Sequence, residues 1–311
     1  MSRLPFLNAA ALDAAGVSAD EAMVAIERGL AALGRAGVQQ PLPPVLQSPD
    51  GGFFQSLVAA SAIDNLACLN WLTYHPGNPA HGRPHSGGIL VLNDFGTGAP
   101  LCLMDGIWVS HRRTGYVAGL AAKYLAGSVT DVALIGAGAI AVFAVDALAA
   151  LGLLGGELRV STRSPETAAQ FCSKTSARLG LRARPVADPR TAIRGARLVV
   201  TSTTHEGPPF IERDWLEAGT LIVMIDRLRV VTPGLLAQSD RIVTTSRESL
   251  ARWGFKDSDR VTTLPEIIAG GRPQPVAPDQ VALCDVGGIA AADLAFAALL
   301  WSRLKANVET R

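Results

Sequence analysis

The feature that most restricts what this chain can fold into is a strand-to-helix switch. Val132-Ala-Leu-Ile135 runs straight into Gly136-x-Gly138-x-x-Ala141 and an alanine-rich segment. Each small residue meets a separate need: Gly136 permits a tight turn, Gly138 lets backbone approach a pyrophosphate, and Ala141 lets the helix sit close on the strand. The first helical positions, Ala139 and Ile140, then place the helix N-terminus where phosphate charge is welcome. Taken alone, Gly-x-Gly-x-x-Ala is a weak signal that any glycine turn in an α/β core produces. Its weight comes from context, because strand, turn, long helix and a second strand at Leu158 to Ser161 follow in the order a dinucleotide-binding unit requires.

The same stretch imitates a membrane span, since Val132 to Gly156 holds one charged residue, Asp146, in 25 positions. Gly136 and Gly138 divide it into a short buried strand and a helix, so no membrane partner is expected. Beyond it, strand patterns at Leu198 to Thr201, Leu221 to Ile225 and Arg241 to Thr244 alternate with helical ones such as Pro165 to Leu179. Alternation of this kind implies a parallel sheet covered on both faces.

Upstream the grammar differs. A helix starts at Ser18, where Ser18-Ala-Asp-Glu21 has capping-box spacing and Met23, Ile26, Leu30 and Leu33 follow at helical intervals. Strands read at Cys68 to Tyr74, Gly88 to Asn93 and Pro100 to Met104, the last two joined through Gly96-Thr-Gly98 as a hairpin. Arg113 to Leu125 reads as a helix leading into the strand at Val129 to Ile135, and Ala290 to Lys305 reads as a closing helix. The expected fold class is α/β: a Rossmann-type doubly wound parallel sheet over residues 121–287, plus a smaller α+β substrate and dimerisation domain from residues 1–120 with 288–311.

Composition removes several alternatives. With 28 basic and 27 acidic residues and no long basic cluster, nucleic acid is not an expected partner. Cys68, Cys102, Cys172 and Cys284 are scattered without Cys-x-x-Cys spacing, which points to a reducing cytoplasm rather than a disulfide framework. The start of the chain lacks the apolar run of a signal peptide. His81 and His85 stand four apart, but they lie in a Gly/Pro-rich loop with no neighbouring carboxylate, so no metal is expected. His111, beside Arg112 and Arg113, is a weaker candidate for moving a proton, surface exposure being its plainer role.

Two further positions carry chemistry. The end of the second strand, where a carboxylate would grip the ribose hydroxyls of NAD, reads Ser161-Thr162-Arg163-Ser164. Hydroxyls and an arginine there favour a 2′-phosphate, so NADP(H) is preferred and NAD(H) possible; a solvated loop residue is the plainer role for Arg163. Leu221-Ile-Val-Met-Ile-Asp226 drives an apolar strand into a carboxylate at its C-terminal end, where ligands of such sheets gather. Asp226 is the candidate general acid or base, with a helix cap or a partner for Arg227 or Arg229 as the competing role.

Along nearly its whole length the chain resembles the ornithine cyclodeaminase and mu-crystallin family. The resemblance rests on Trp71-Leu-Thr-Tyr-His-Pro-Gly-Asn78, Val91-Leu-Asn-Asp-Phe-Gly-Thr-Gly-Ala-Pro100, the pair Arg113-Thr114, Val199-Val-Thr-Ser-Thr203, and Asp285-Val-Gly287 with Asp293 after it. It implies a homodimer and hydride transfer at a carbon bearing nitrogen. The activity implied is NAD(P)H-dependent reduction of a C=N bond in a cyclic or linear imine or ketimine, or the reverse amine or amino-acid dehydrogenation. An ammonia-releasing cyclodeaminase with tightly held NAD, and a noncatalytic crystallin-like ligand binder, are the other activities it allows. By position Arg113 would hold a substrate carboxylate. Thr114, Ser202, Thr203, Val286 and Gly287 would line the cofactor.

Departures from the pattern matter as much. Carboxylate-binding members carry a Lys where this chain has Asn70, and an early Arg where it has Gln47. Two cations fewer imply a substrate whose polar end is neutral, contacted by Asn70 through a hydrogen bond, or a reshaped pocket. Ile140 stands where many members place Gln, and Arg227-Leu-Arg-Val-Val-Thr-Pro233 replaces the cyclodeaminase Pro-Gly-Lys run.

Overall fold

The computed structural model describes residues 4–251 and 260–309 of the chain. Two units divide it, Met1–Arg113 with Gly288–Arg311, and Thr114–Gly287. The first begins with β1 (Phe6–Leu7), α1 (Ala9–Asp13) and α2 (Ala19–Gly34). Ser18 caps α2 as its spacing requires: Glu21 N–H donates to Ser18 Oγ at 3.2 Å, and Ser18 N–H donates to Glu21 Oε2 at 3.0 Å.

There follow β2 (Val45–Gln47), β3 (Phe53–Ser61), β4 (Leu66–Tyr74), β5 (Ser86–Asp94), β6 (Pro100–Asp105) and the start of α3 (Gly106–Leu125). The sheet order is β1-β6-β5-β4-β3-β2. It is antiparallel except for the β1–β6 pair. β5 and β6 do form a hairpin, and its turn is tied by Thr97 N–H and Thr97 Oγ donating to Asp94 Oδ1 at 2.8 and 2.7 Å.

One expectation needs correcting. Arg113 does not open a helix, because α3 starts seven residues earlier, at Gly106. Asp105 is the reason: its Oδ1 accepts from Ile107 and Trp108 N–H at 3.1 and 2.9 Å, so the helix begins as β6 ends. The first unit's opening segment ends at Arg113 and the second unit begins at Thr114, both within α3. β3 is a strand that no clear alternation announces, because its C-terminal half is rich in Ala and Ser.

The second unit continues through β7 (Val132–Ile135), α4 (Ala139–Ala150), β8 (Glu157–Ser161), α5 (Pro165–Leu179), β9 (Arg182–Pro185), α6 (Pro189–Ile193) and β10 (Leu198–Thr201). After it come β11 (Thr220–Met224), α7 (Pro233–Gln238), β12 (Arg241–Thr244), α8 (Arg247–Ala251), β13 (Val261–Thr263), α9 (Leu264–Ala269) and β14 (Val281–Asp285). All the pairings are parallel, in the order β13-β12-β14-β11-β10-β7-β8-β9. Central strands are buried at every position, as parallel strands covered on both faces must be, while edge strand β9 is mostly exposed. From β7 the chain winds outward to β9, then returns to lay β10 on the other side of β7. That reversal makes a topological switch point between the carboxyl ends of β7 and β10, where such sheets bind ligands.

Past Gly287 the chain returns to the first unit as α10 (Ala290–Glu309). A Cβ on Gly29 of α2 would meet the Ala295 Cβ of α10 at 2.6 Å, so that glycine lets the two helices close on each other.

Candidate active site

At the switch point of the second unit, Gly136 takes φ +92°, and a Cβ there would lie 2.2 Å from the Ser202 carbonyl oxygen. No side chain fits this turn. Gly138 faces open space at the N-cap of α4, where no side chain caps the helix, so the first amides of α4 stay available to an acceptor. A cavity of about 620 Å³ opens beside them. It brings together loops after three strands: Gly136 and Gly138 after β7, Thr162, Arg163 and Ser164 after β8, and Ser202 and Thr203 after β10. Helix α5 starts at its edge, with Ser164 Oγ accepting from Thr167 N–H at 3.2 Å.

A glycine cradle that a Cβ would fill, uncapped helix amides and a roomy groove are what a dinucleotide's pyrophosphate and ribose need. The other expected cofactor residues are placed differently. Ala139, Ile140 and Ala141 form the first turn of α4, with Ala141 buried against the sheet. Thr114, Val286 and Gly287 do not line this cavity. Val286 N–H donates to Met224 O at 3.1 Å, and Gly287 O accepts from Thr245 Oγ at 2.6 Å. His205 and Phe210, which the sequence did not single out for this role, do line it, packed edge to face at 5.1 Å.

Asp226 sits two residues past β11, at the same carboxyl edge, and is 8% exposed. Its Oδ1 accepts from Thr201 Oγ at 2.6 Å and its Oδ2 from Thr203 N–H at 3.1 Å. Burial pushes this carboxyl up to about 7, against the pull of those two donors and of Arg229. A carboxylic acid held near neutrality in a fixed orientation can give or take a proton under ordinary conditions. Its oxygens accept from Thr201 and Thr203, and of the competing roles a partnership with Arg229 is present as a charge acting on it. Arg227 instead acts on Asp285, at the end of the neighbouring strand β14. Its backbone is left-handed, φ +64°, an uncommon setting for a non-glycine residue. Burial lifts the Asp285 carboxyl to about 6, with the Arg227 charge opposing. The sequence did not reveal this pair, although Asp285 and Gly287 stood in a recognised motif.

The first unit holds a separate polar cluster. Arg113 and Asp293 are 3% and 0% exposed at their side chains, with Arg113 Nε donating to Asp293 Oδ1 at 2.9 Å. Asn70 Nδ2 donates to the same oxygen at 3.0 Å and to Gly106 O at 3.4 Å. Burial raises the Asp293 carboxyl, with Arg113 and Asn70 pulling it down. Gln47, by contrast, is exposed on β2. His111 is half-buried rather than exposed; burial, then the Arg112 charge, holds its imidazole below the ordinary value.

The sequence profile of the ornithine cyclodeaminase/mu-crystallin family matches residues 7–307. The chain belongs to that family. Its relatives include an alanine dehydrogenase of Archaeoglobus fulgidus, 30% identical over 95% of this chain and 94% of the relative. A Delta(1)-pyrroline-2-carboxylate reductase of Bacillus cereus is 27% identical over 80% of this chain and 81% of its own. Among solved structures, that of Thermococcus litoralis Delta(1)-pyrroline-2-carboxylate reductase in complex with NADH and L-proline superposes with a TM-score of 0.87. It covers 98% of each chain at 23% identity. In this chain a neutral Asn70 lies beside the buried Arg113–Asp293 ion pair.

Proposed function

We propose that this chain is an NAD(P)H-dependent oxidoreductase acting on CH–NH or CH–NH2 groups, reducing a C=N bond in a cyclic or linear imine or ketimine, or running the reverse dehydrogenation. The observation that carries this reading is Asp226: a buried carboxyl raised to about 7, held by Thr201 and Thr203 at the carboxyl edge of the sheet that forms the glycine cradle. A bound nicotinamide supplies or accepts the hydride. Asp226 in its protonated form donates to the imine nitrogen, which makes the adjoining carbon a better hydride acceptor, and takes the proton back in the reverse direction. Thr201 and Thr203 fix the carboxyl so that no reorientation accompanies the transfer.

NADP(H) is the preferred form of the cofactor. Supporting this, the cavity wall after β8 holds Thr162, Arg163 and Ser164 and no carboxylate; Arg163 is exposed without an acidic partner among the described residues. Glu166, nearby in sequence, is engaged by Ser164 Oγ at 2.6 Å. A homodimer is supported by the outward face of the six-stranded sheet, where Phe6, Leu103, Val91, Leu69 and Val58 line up across five strands; Phe6 and Val58 are 56% and 37% exposed. The cytoplasm suits four buried cysteines that are all free thiols. Among the described residues no helix is long and apolar enough to cross a membrane.

The test is titration of the purified protein with NADPH and NADH, followed by 340 nm absorbance with a panel of cyclic imines. Imine-dependent oxidation of NADPH supports the reading. Tight NAD(H) binding with ammonia release and no net oxidation overturns it.

A further inference from the structure

At the carboxyl edge of the second unit's sheet, the chain leaving β11 is pinned, released and pinned again. Ile225 N–H donates to Thr201 O at 2.8 Å on the β10 side, and Val286 N–H donates to Met224 O at 3.1 Å from the β14 side. The next anchor is Val230, whose carbonyl accepts from Phe210 and Ile211 N–H at 3.0 and 2.8 Å. Between these anchors residues 226–229 turn, and Asp226 opens that turn.

Two adjacent residues of the turn reach opposite neighbours. Asp226 goes to the β10 side, to Thr201 Oγ and Thr203 N–H. Arg227 goes to the β14 side, where its stem fills the space a side chain on Gly287 would need: a Cβ there would lie 2.9 Å from Arg227 Nε and 3.1 Å from Arg227 Cγ. Its charge acts on Asp285, which is 1% exposed. The surface beneath it is fixed, because Thr245 Oγ donates to Gly287 O at 2.6 Å, Thr245 N–H to Asp285 O at 3.1 Å, and Gly287 N–H to Asp285 Oδ1 at 3.2 Å.

At φ +64° Arg227 has its Cβ crowded against the following carbonyl. A residue with a side chain stays in that region only when its surroundings over-determine it, and here Gly287 and Asp285 do so. The charge that acts on Asp226 is that of Arg229. Arg227 therefore influences Asp226 through the backbone, because the peptide joining the two residues sets the direction in which the Asp226 side chain leaves the edge.

We propose that Arg227 is a positioning residue for Asp226, with Asp285 as its anchor: its hold on β14 keeps the turn left-handed, and the turn delivers the Asp226 carboxyl to Thr201 and Thr203. The bearing of this on catalysis rests on the C=N reductase reading, whereas its bearing on the Asp226 carboxyl does not.

The experiment compares the wild type with Arg227→Ala and Arg227→Gly. Arg227→Ala keeps the backbone strain and loses the anchor, while Arg227→Gly removes the strain and leaves the turn accessible. In reduction of 1-pyrroline with NADPH, Arg227→Ala should lose about ten- to hundredfold in kcat with NADPH affinity unchanged, and Arg227→Gly should lose distinctly less. A second readout needs no activity: the pH dependence of urea unfolding that Asp226→Asn removes between about pH 5 and pH 8, measured in the wild-type and Arg227→Ala backgrounds. Asp285 is present in both members of each pair, so its own titration cancels. With the carboxyl released from its threonines toward water, the removed change in unfolding constant should be at least about tenfold smaller in the Arg227→Ala background. Full kcat in Arg227→Ala, equal losses in the two variants, or an undiminished pH effect each overturns the proposal. If the wild type binds NADPH and reduces no imine, the reductase reading falls and the pH effect alone decides the positioning role. Should Arg227→Ala fail to fold, Asp285→Asn, which removes the anchor's charge and keeps its shape, takes its place with the same expected direction.

Discussion

Replacing Asp226 by Asn separates the cost of burying this carboxyl from its use. Folding takes it from the ordinary aspartate value of 3.8 to about 7, so over that interval the folded chain binds more protons than the unfolded one. Stability contributed by this group is therefore highest in acid and is withdrawn as pH rises toward 7, after which the cost is constant. Each tenfold change in proton affinity is worth about 1.4 kcal/mol. Between about pH 5 and pH 8 the wild type should thus lose roughly 2.5 kcal/mol that Asp226→Asn does not lose. Asn can still accept from Thr203 N–H and can donate to Thr201 Oγ, so the local geometry is retained. Urea unfolding of both proteins at the two pH values reads the difference directly. Kinetically, a variant with no proton to give should lose about 10²- to 10⁴-fold in kcat with cofactor affinity unchanged. The wild-type rate of imine reduction should fall as pH rises through about 7. A stability difference that stays flat with pH refutes burial as the cause of the raised affinity. Near-normal kcat refutes the catalytic role.

Gly136→Ala forces a Cβ onto the Ser202 carbonyl at a left-handed backbone position and should cost about 2–4 kcal/mol with loss of dinucleotide binding, readable by thermal shift with and without NADPH. Arg163→Ala should lower NADPH affinity about tenfold or more and leave NADH affinity nearly unchanged, measured by fluorescence titration; equal loss of both would refute its assignment to the 2′-phosphate. Arg113→Ala leaves the Asp293 carboxylate buried and unpaired, and should cost about 3–5 kcal/mol, whereas Arg113→Met combined with Asp293→Leu should retain most of the stability. Denaturation midpoints of the single and double variants decide this, and they show how far any loss of activity in Arg113→Ala reflects the fold.

Much of the second unit was legible in the residues themselves. A positive φ at Gly136, a close backbone approach and an uncapped helix start are demands on neighbouring positions, so they are written in consecutive residues. The capping box at Ser18 and the buried run ending at Asp226 are local in the same way. The start of α3 is also written locally, in Asp105, whose carboxylate caps the helix seven residues before the Arg113-Thr114 pair. Only the tertiary structure could decide how charges are spent. Thr201 reaches Asp226 across 25 residues, and Asn70 reaches Asp293 across 223. Asp293 is three residues past the start of α10, and packing of that helix within the first unit buries it against Arg113. Backbone conformation is a property of adjacent residues and leaves its mark on their identity. Proton affinity and the cancellation of charge depend on what packing brings within a few ångströms, which no stretch of sequence contains.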